Sequence, residues 1–164
     1  MSKSSAAKLL AAFALVGLAP RAAAADPCEP HKARYRSAHP LTITGALALH
    51  AREATPSMAD MRCLESTWNP RDGSVAASAT RTLLIVIAQH RGIAIAAAGE
   101  RQELYREWLA DVARYGIHDV NGEGRLLRRS ITQLLTAAPK GPAEEAGRKV
   151  LLDGLSAVQV FRLD

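Results

Sequence analysis

The sequence predicts an all-α protein. Residues 41–164 form a single compact bundle of five or six helices, and residues 26–40 form an irregular amino-terminal arm tied down by a disulfide. Three observations carry that prediction. Apolar residues recur at three- and four-residue spacing in one stretch after another. Turn clusters rich in proline and glycine, at 69–73 and 140–142, cut those stretches into helix-sized lengths. No stretch shows the strict alternation of a half-buried strand or a hairpin, apart from residues 158–161, a brief tail that reads as extended.

The first 25 residues stand outside this bundle. Lys3 and Lys8 give a positive front, residues 9–19 (LLAAFALVGLA) are apolar, and Ala23-Ala24-Ala25 meets the small-residue rule for cleavage before Asp26. That is the layout of a secretory signal peptide, and the apolar run is shorter than the ~20 residues a spanning helix needs. The expected address is periplasmic or secreted. No lipid anchor is expected after cleavage, because Asp26 and Pro27 precede Cys28 where small residues would be required. The whole chain has 21 Lys and Arg against 16 Asp and Glu; losing Lys3, Lys8 and Arg21 leaves 18 against 16, a formal charge of +2. The densest basic cluster, Arg125, Arg128 and Arg129, is short and has no interleaved aromatics, so nucleic acid is not an expected partner.

The elements follow in order. Residues 26–40 hold Pro27, Pro30 and Pro40, several charges and no periodicity, which reads as extended chain. Residues 41–54 turn helical, with Leu41, Ile43, Ala46, Leu47 and Ala51 at helical spacing before Pro56. Ser57 and Asp60 form a weak capping box for a helix whose face is Met58, Met61, Leu64 and Trp68. After the 69–73 turn, Ser74 is placed to cap a long stretch reaching about Ala98, apolar on all sides over 83–88, with Gly92 as a kink or an end. Its length favours a central helix over a buried strand. Residues 100–115 are amphipathic, with Leu104, Trp108, Val112 and Tyr115 in one stripe, widened by Tyr105 and Leu109, and Gly116 as the stop. Residues 125–138 carry Leu127, Ile131, Leu134, Leu135 and Ala138 up to Pro139. The last helix starts at Pro142 and faces inward with Val150, Leu151, Leu155 and Val158.

Candidate chemistry is sparse. Cys28 and Cys63 are the two cysteines, and export makes a disulfide between them the expected state. Closing that loop stabilises the fold by roughly 3–4 kcal/mol. The alternative is a metal site from Cys28, His31, His39, His50 and Cys63, but zinc motifs normally supply two tight ligand pairs and here only Cys28-x-x-His31 exists. No C-x-x-C-H haem motif, G-x-S-x-G elbow or H-E-x-x-H helix occurs. Glu103 and Glu107 share a charged helix face, Glu144 and Glu145 suit the electrostatics of a helix start, and His118 and Asp119 are merely adjacent. No catalytic residue and no cofactor is expected.

One segment looks like a motif. Asp119, Asn121 and Glu123 fall at the first, third and fifth positions of a loop with Gly124 at the sixth and Leu126 at the eighth. Those eight residues resemble the front half of an EF-hand or dockerin calcium loop. The resemblance then fails: Leu127 stands at position nine, Ser130 replaces the bidentate glutamate at twelve, and Arg125, Arg128 and Arg129 add positive charge. A polar turn between helices is the expected structure, with no bound metal; Asp119, Asn121 and Glu123 are the ligands of a calcium- or metal-dependent alternative. The expected function is a protein–protein interaction module acting on another envelope or secreted protein, of the inhibitor or immunity-protein kind. A small periplasmic enzyme, with a site assembled only by folding, is the other alternative.

Overall fold

The long apolar stretch after the 69–73 turn becomes the central strut. In the computed structural model, which describes residues 25–162, the helices are α1 (Glu29–Tyr35), α2 (Pro40–Glu53), α3 (Met58–Thr67), α4 (Gly73–Glu100), α5 (Gln102–Tyr115), α6 (Glu123–Leu135) and α7 (Pro142–Ser156). The fold is mostly helical, as expected, but with seven helices among the described residues, where five or six were predicted. The signal-peptide segment lies outside the described residues. Helix α4 is buried along residues 82–88 and again at Ala94, Ile95, Ala97 and Ala98, with α2, α3, α6 and α7 packed on it.

The extra helix is α1, in the arm that was expected to be extended. The prolines there start helices instead of preventing them. Pro30 occupies the first turn of α1, and Pro40 begins α2, positions where the missing N–H costs nothing. Asp26 accepts the Cys28 N–H at 2.8 Å, His39 Nδ1 accepts the Leu41 N–H at 3.3 Å, and α1 ends at Arg36 in the left-handed region. The capping box of α3 is formed in full: the Asp60 N–H donates to Ser57 Oγ at 3.2 Å and the Ser57 N–H to Asp60 Oδ2 at 2.7 Å. Asp72, not Ser74, caps α4, its carboxylate accepting from the Ser74 and Val75 N–H groups.

The kink in α4 falls at His90 and not at Gly92. There the backbone leaves helical geometry, and His90 Nε2 donates to the Ala51 carbonyl at 2.7 Å. Ala51 belongs to the last turn of α2, whose carbonyls have no partner within their own helix, so the imidazole satisfies one of them. Other buried polar groups are matched in the same way. Ser130 Oγ donates to the Leu84 carbonyl at 2.9 Å, and Thr82 Oγ1 sits 3.1 Å from the Thr44 carbonyl, joining α6 and α2 to α4.

Helix α7 approaches α4 closely because both are glycine at the crossing. A Cβ at Gly147 would lie 2.5 Å from the Gly99 nitrogen and closer still to the Ile95 carbonyl oxygen. Farther along α7, a Cβ at Gly154 would meet Leu109 Cβ at 2.6 Å, which seats α5. The buried face of α5 is Tyr105, Trp108, Leu109 and Val112; Leu104 is only half-buried and Tyr115 faces outward. On α6, Leu127 and Leu134 are buried, Ile131 is half-buried, and Leu135 and Ala138 are exposed instead of joining the core. On α2, Ile43, Ala46, Leu47 and Ala51 are buried, and Leu41 is the one of that predicted set that the fold leaves exposed. Two short strands, β1 (Ile117–His118) and β2 (Val160–Phe161), pair in parallel and fix the tail against the end of α5. Gly116 has φ +72° there, and a Cβ on it would run into the Phe161 ring.

Candidate functional site

A groove of about 500 Å³ lies between the start of α4, the end of α5, β1 and the loop leading to α6. It follows from the helix ends. Trp68 is the residue that closes α3, and its ring stacks on Trp108 with centroids 5.5 Å apart; Trp108 in turn stacks on Tyr105 at 5.9 Å. Trp108 is fully buried, and its Nε1–H donates to Thr80 Oγ1 at 3.0 Å, so the indole is both packed and paired. Leu84 and Val112 also line the cavity, and Tyr115 and Val120 edge it at 66% and 63% exposure. Tyr115 and Val120 thus present apolar surface to solvent beside the concavity.

Among the polar residues that line the groove, Arg81 and Glu123 are paired. Arg81 Nε lies 2.9 Å from Glu123 Oε1, off the line of an ideal hydrogen bond, and Glu123 Oε2 accepts the Asn121 N–H at 2.6 Å. Burial pushes the Glu123 carboxyl up, but the Asn121 and Glu123 N–H groups and Arg81 outweigh it and hold the group below its usual value. Glu123 is therefore a carboxylate already neutralised by its neighbours. His118 packs on Phe161, with ring centroids 5.7 Å apart, and no imidazole among the described residues is hydrogen-bonded to a hydroxyl. The arrangement suits binding an apolar group more than activating a nucleophile.

The segment resembling a calcium loop borders this groove. Gly122, not Gly124, takes the left-handed conformation, with φ +85°, and Glu123 and Gly124 already lie in α6. Gly124 is small for another reason: a Cβ there would sit 2.9 Å from Asp119 Oδ2 and 3.2 Å from Val160. Asp119 Oδ1 is buried without a hydrogen-bond partner, Asn121 is exposed, and Glu123 is engaged by Arg81. Among the described residues, no three His, Cys, Asp or Glu side chains are grouped to hold a metal ion.

Cys28 and Cys63 are joined in a disulfide with Cα atoms 4.7 Å apart, linking the start of α1 to α3. Such a pair fits an oxidising environment, and it removes both thiolates from the alternative metal set. The histidines named with them divide. His39 caps α2, whereas His31 and His50 come together around Asp60: His31 Nε2 donates to Asp60 Oδ1 at 2.7 Å and His50 Nε2 lies 3.7 Å from Oδ2. Ser57 Oγ also bonds Asp60, at 2.8 Å. The carboxylate, not an imidazole, is thus the central group, which is the wrong order for a serine–histidine–aspartate relay. Burial raises the Asp60 carboxyl, but Ser57 and His31 outweigh it and the group ends below its usual value.

One charged site gave no signal in the sequence. The Glu65 side chain on α3 is 1% exposed, yet it accepts from Arg62 at 2.8 Å, Arg101 at 2.9 Å and the Tyr105 hydroxyl at 3.1 Å. Burial first, and then the Glu65 charge, push the Tyr105 phenol well above its ordinary value, so it stays a donor. The cluster ties α3 to the α4–α5 junction, and none of its four residues lines the groove. Of the remaining sequence candidates, Glu103 and Glu145 pair with Arg106 and Arg148 on the surface, and Glu144 accepts the Lys140 N–H at 2.8 Å. Comparison with protein-family models, curated proteins and solved structures returns no match to this chain.

Proposed function

We propose that this chain is an exported interaction module that binds another envelope or secreted protein through the groove edged by Tyr115 and Val120, as an inhibitor or immunity protein does for an envelope-acting toxin. The observation that carries this is the groove itself: about 500 Å³, largely apolar, flanked by two of the most exposed large hydrophobics, with its Glu123 carboxylate already paired to Arg81. Aromatic residues at a concave apolar surface are the usual anchors of protein interfaces. The signal-peptide layout of residues 1–25 and the Cys28–Cys63 bond support export.

The test is photo-crosslinking in the native envelope, with a benzophenone amino acid in place of Tyr115. The expected result is one discrete protein adduct, absent when the probe replaces Leu49 on α2 and lost with Val120→Asp. Equal labelling from both positions would refute the proposal. A second reading takes the same groove as a small-molecule site, because its volume lies within the ~300–1,000 Å³ typical of ligand pockets. Native mass spectrometry of protein from an envelope fraction separates the two, since a small ligand would add its own mass.

A further inference from the structure

The outward face of α6 carries charge that the fold does not use. Arg125, Arg128 and Arg129 are exposed, and among the described residues none of them takes part in an ion pair; Arg34, Arg36, Arg52, Arg71, Arg91 and Arg162 are also outside ion pairs, but no other helix carries three such arginines. Arg125, Arg129 and Gln133 are spaced four apart and so form one row along the helix. Gln133 holds a further guanidinium, because Arg91 of α4 donates to its Oε1. At a rise of 1.5 Å per residue, the row is about 12 Å long. It begins beside the groove, where the Arg125 guanidinium lies near Gly122, between the groove-lining Asn121 and Glu123. Leu135, 61% exposed, shares the same outward face beyond Arg128.

We propose that this face receives an acidic strip of the protein partner, alongside the apolar group that enters the groove; the inference rests on the interaction reading above. Charge complementarity selects the occupant. Guanidinium groups bind carboxylates in a planar, two-point geometry, and unpaired arginines placed in a row select for acids at matching spacing. Such pairs set partner choice and association rate more than raw affinity. A phosphate backbone is a poorer match, because α6 offers no aromatic for base stacking and the row is short. A bilayer is poorer too, because the apolar side of α6 is already packed on α4 and is not free to enter lipid.

The test uses protein purified from an envelope fraction and fluorescein-labelled poly-L-glutamate, followed by anisotropy. Saturable binding that weakens as salt is raised is expected, because exposed pairs are screened. Arg125→Glu with Arg129→Glu should weaken it by about tenfold, from exposed pairs lost and repulsions gained. Arg52→Glu with Arg71→Glu, on α2 and the 69–73 turn, should leave it unchanged. Circular dichroism checks that both variants fold. The proposal is overturned if no binding occurs, if the two pairs weaken it equally, or if phosphatidylglycerol vesicles or duplex DNA bind more tightly than the polyglutamate. The Tyr115 adduct is read separately, so an absent polyglutamate complex with a surviving adduct rejects the acidic strip and not the interaction module.

Discussion

Replacing Gly147 with alanine tests whether the α4–α7 crossing is held by backbone contact. The substitution is favourable within a helix, where alanine is better than glycine by about 1 kcal/mol. Here that gain is outweighed. The new methyl would lie 2.5 Å from the Gly99 nitrogen and nearer still to the Ile95 carbonyl oxygen, and both are backbone atoms that no rotamer change moves aside. The helices must separate, and overpacking of this kind costs about 1–3 kcal/mol, with rigid neighbours placing it at the upper end. The net loss is about 2 kcal/mol, a fall in Tm of about 6–10 °C for a domain of this size. Gly45, on the exposed side of α2, has nothing within 4 Å of its would-be Cβ. There Gly45→Ala should raise Tm by about 2–4 °C, through propensity and reduced freedom of the unfolded chain. Thermal unfolding followed at 222 nm compares the two. If Gly147→Ala melts at or above the parent temperature, the crossing is looser than described and the packing account fails.

Three further predictions concern the covalent and charged sites. Cys63→Ser should lower stability by about 3–4 kcal/mol, and non-reduced native protein should contain no alkylatable thiol at Cys28 or Cys63. Asp60 sits below its unfolded value of 3.8, so its stabilising contribution is complete above that pH and is lost as pH falls through the folded value. Urea midpoints should therefore fall below about pH 4 in the parent, with a shallower fall in Asp60→Asn. Added calcium should leave Tm unchanged, because Arg81 and the Asn121 N–H already engage Glu123. Calcium at a hundred times its dissociation constant would add about 2.7 kcal/mol, so a rise in Tm abolished by Asp119→Ala would restore the calcium loop.

What was legible in the sequence was whatever a single helix decides by itself. Helix α5 shows its period, its Gly116 stop and its buried Trp108, and the α3 capping box lies within four consecutive residues. Outcomes set by neighbours were not legible. Tyr115 has the right spacing for the core but is the last residue of α5 and stands 66% exposed. The arm was misread because Pro30 and Pro40 look alike whether they break a helix or begin one. The groove joins residues 68–84 to 111–123, and nothing local announces that Arg81 will meet Glu123. Glu65 looks like any surface acid, since its burial is decided by Arg62, Arg101 and Tyr105.

Helix α4 has a consequence for the fate of damaged copies. By length and composition it is apolar enough to cross a lipid bilayer, and only the packing of its neighbours keeps it from water. Any lesion that loosens that packing exposes a long apolar segment, interrupted by Arg81, Gln89, His90 and Arg91 over its middle, to water, lipid and other chains. Losses from weakened variants should then be found in the membrane pellet and in aggregates, and refolding yield should depend on how quickly α2, α6 and α7 close over α4 again.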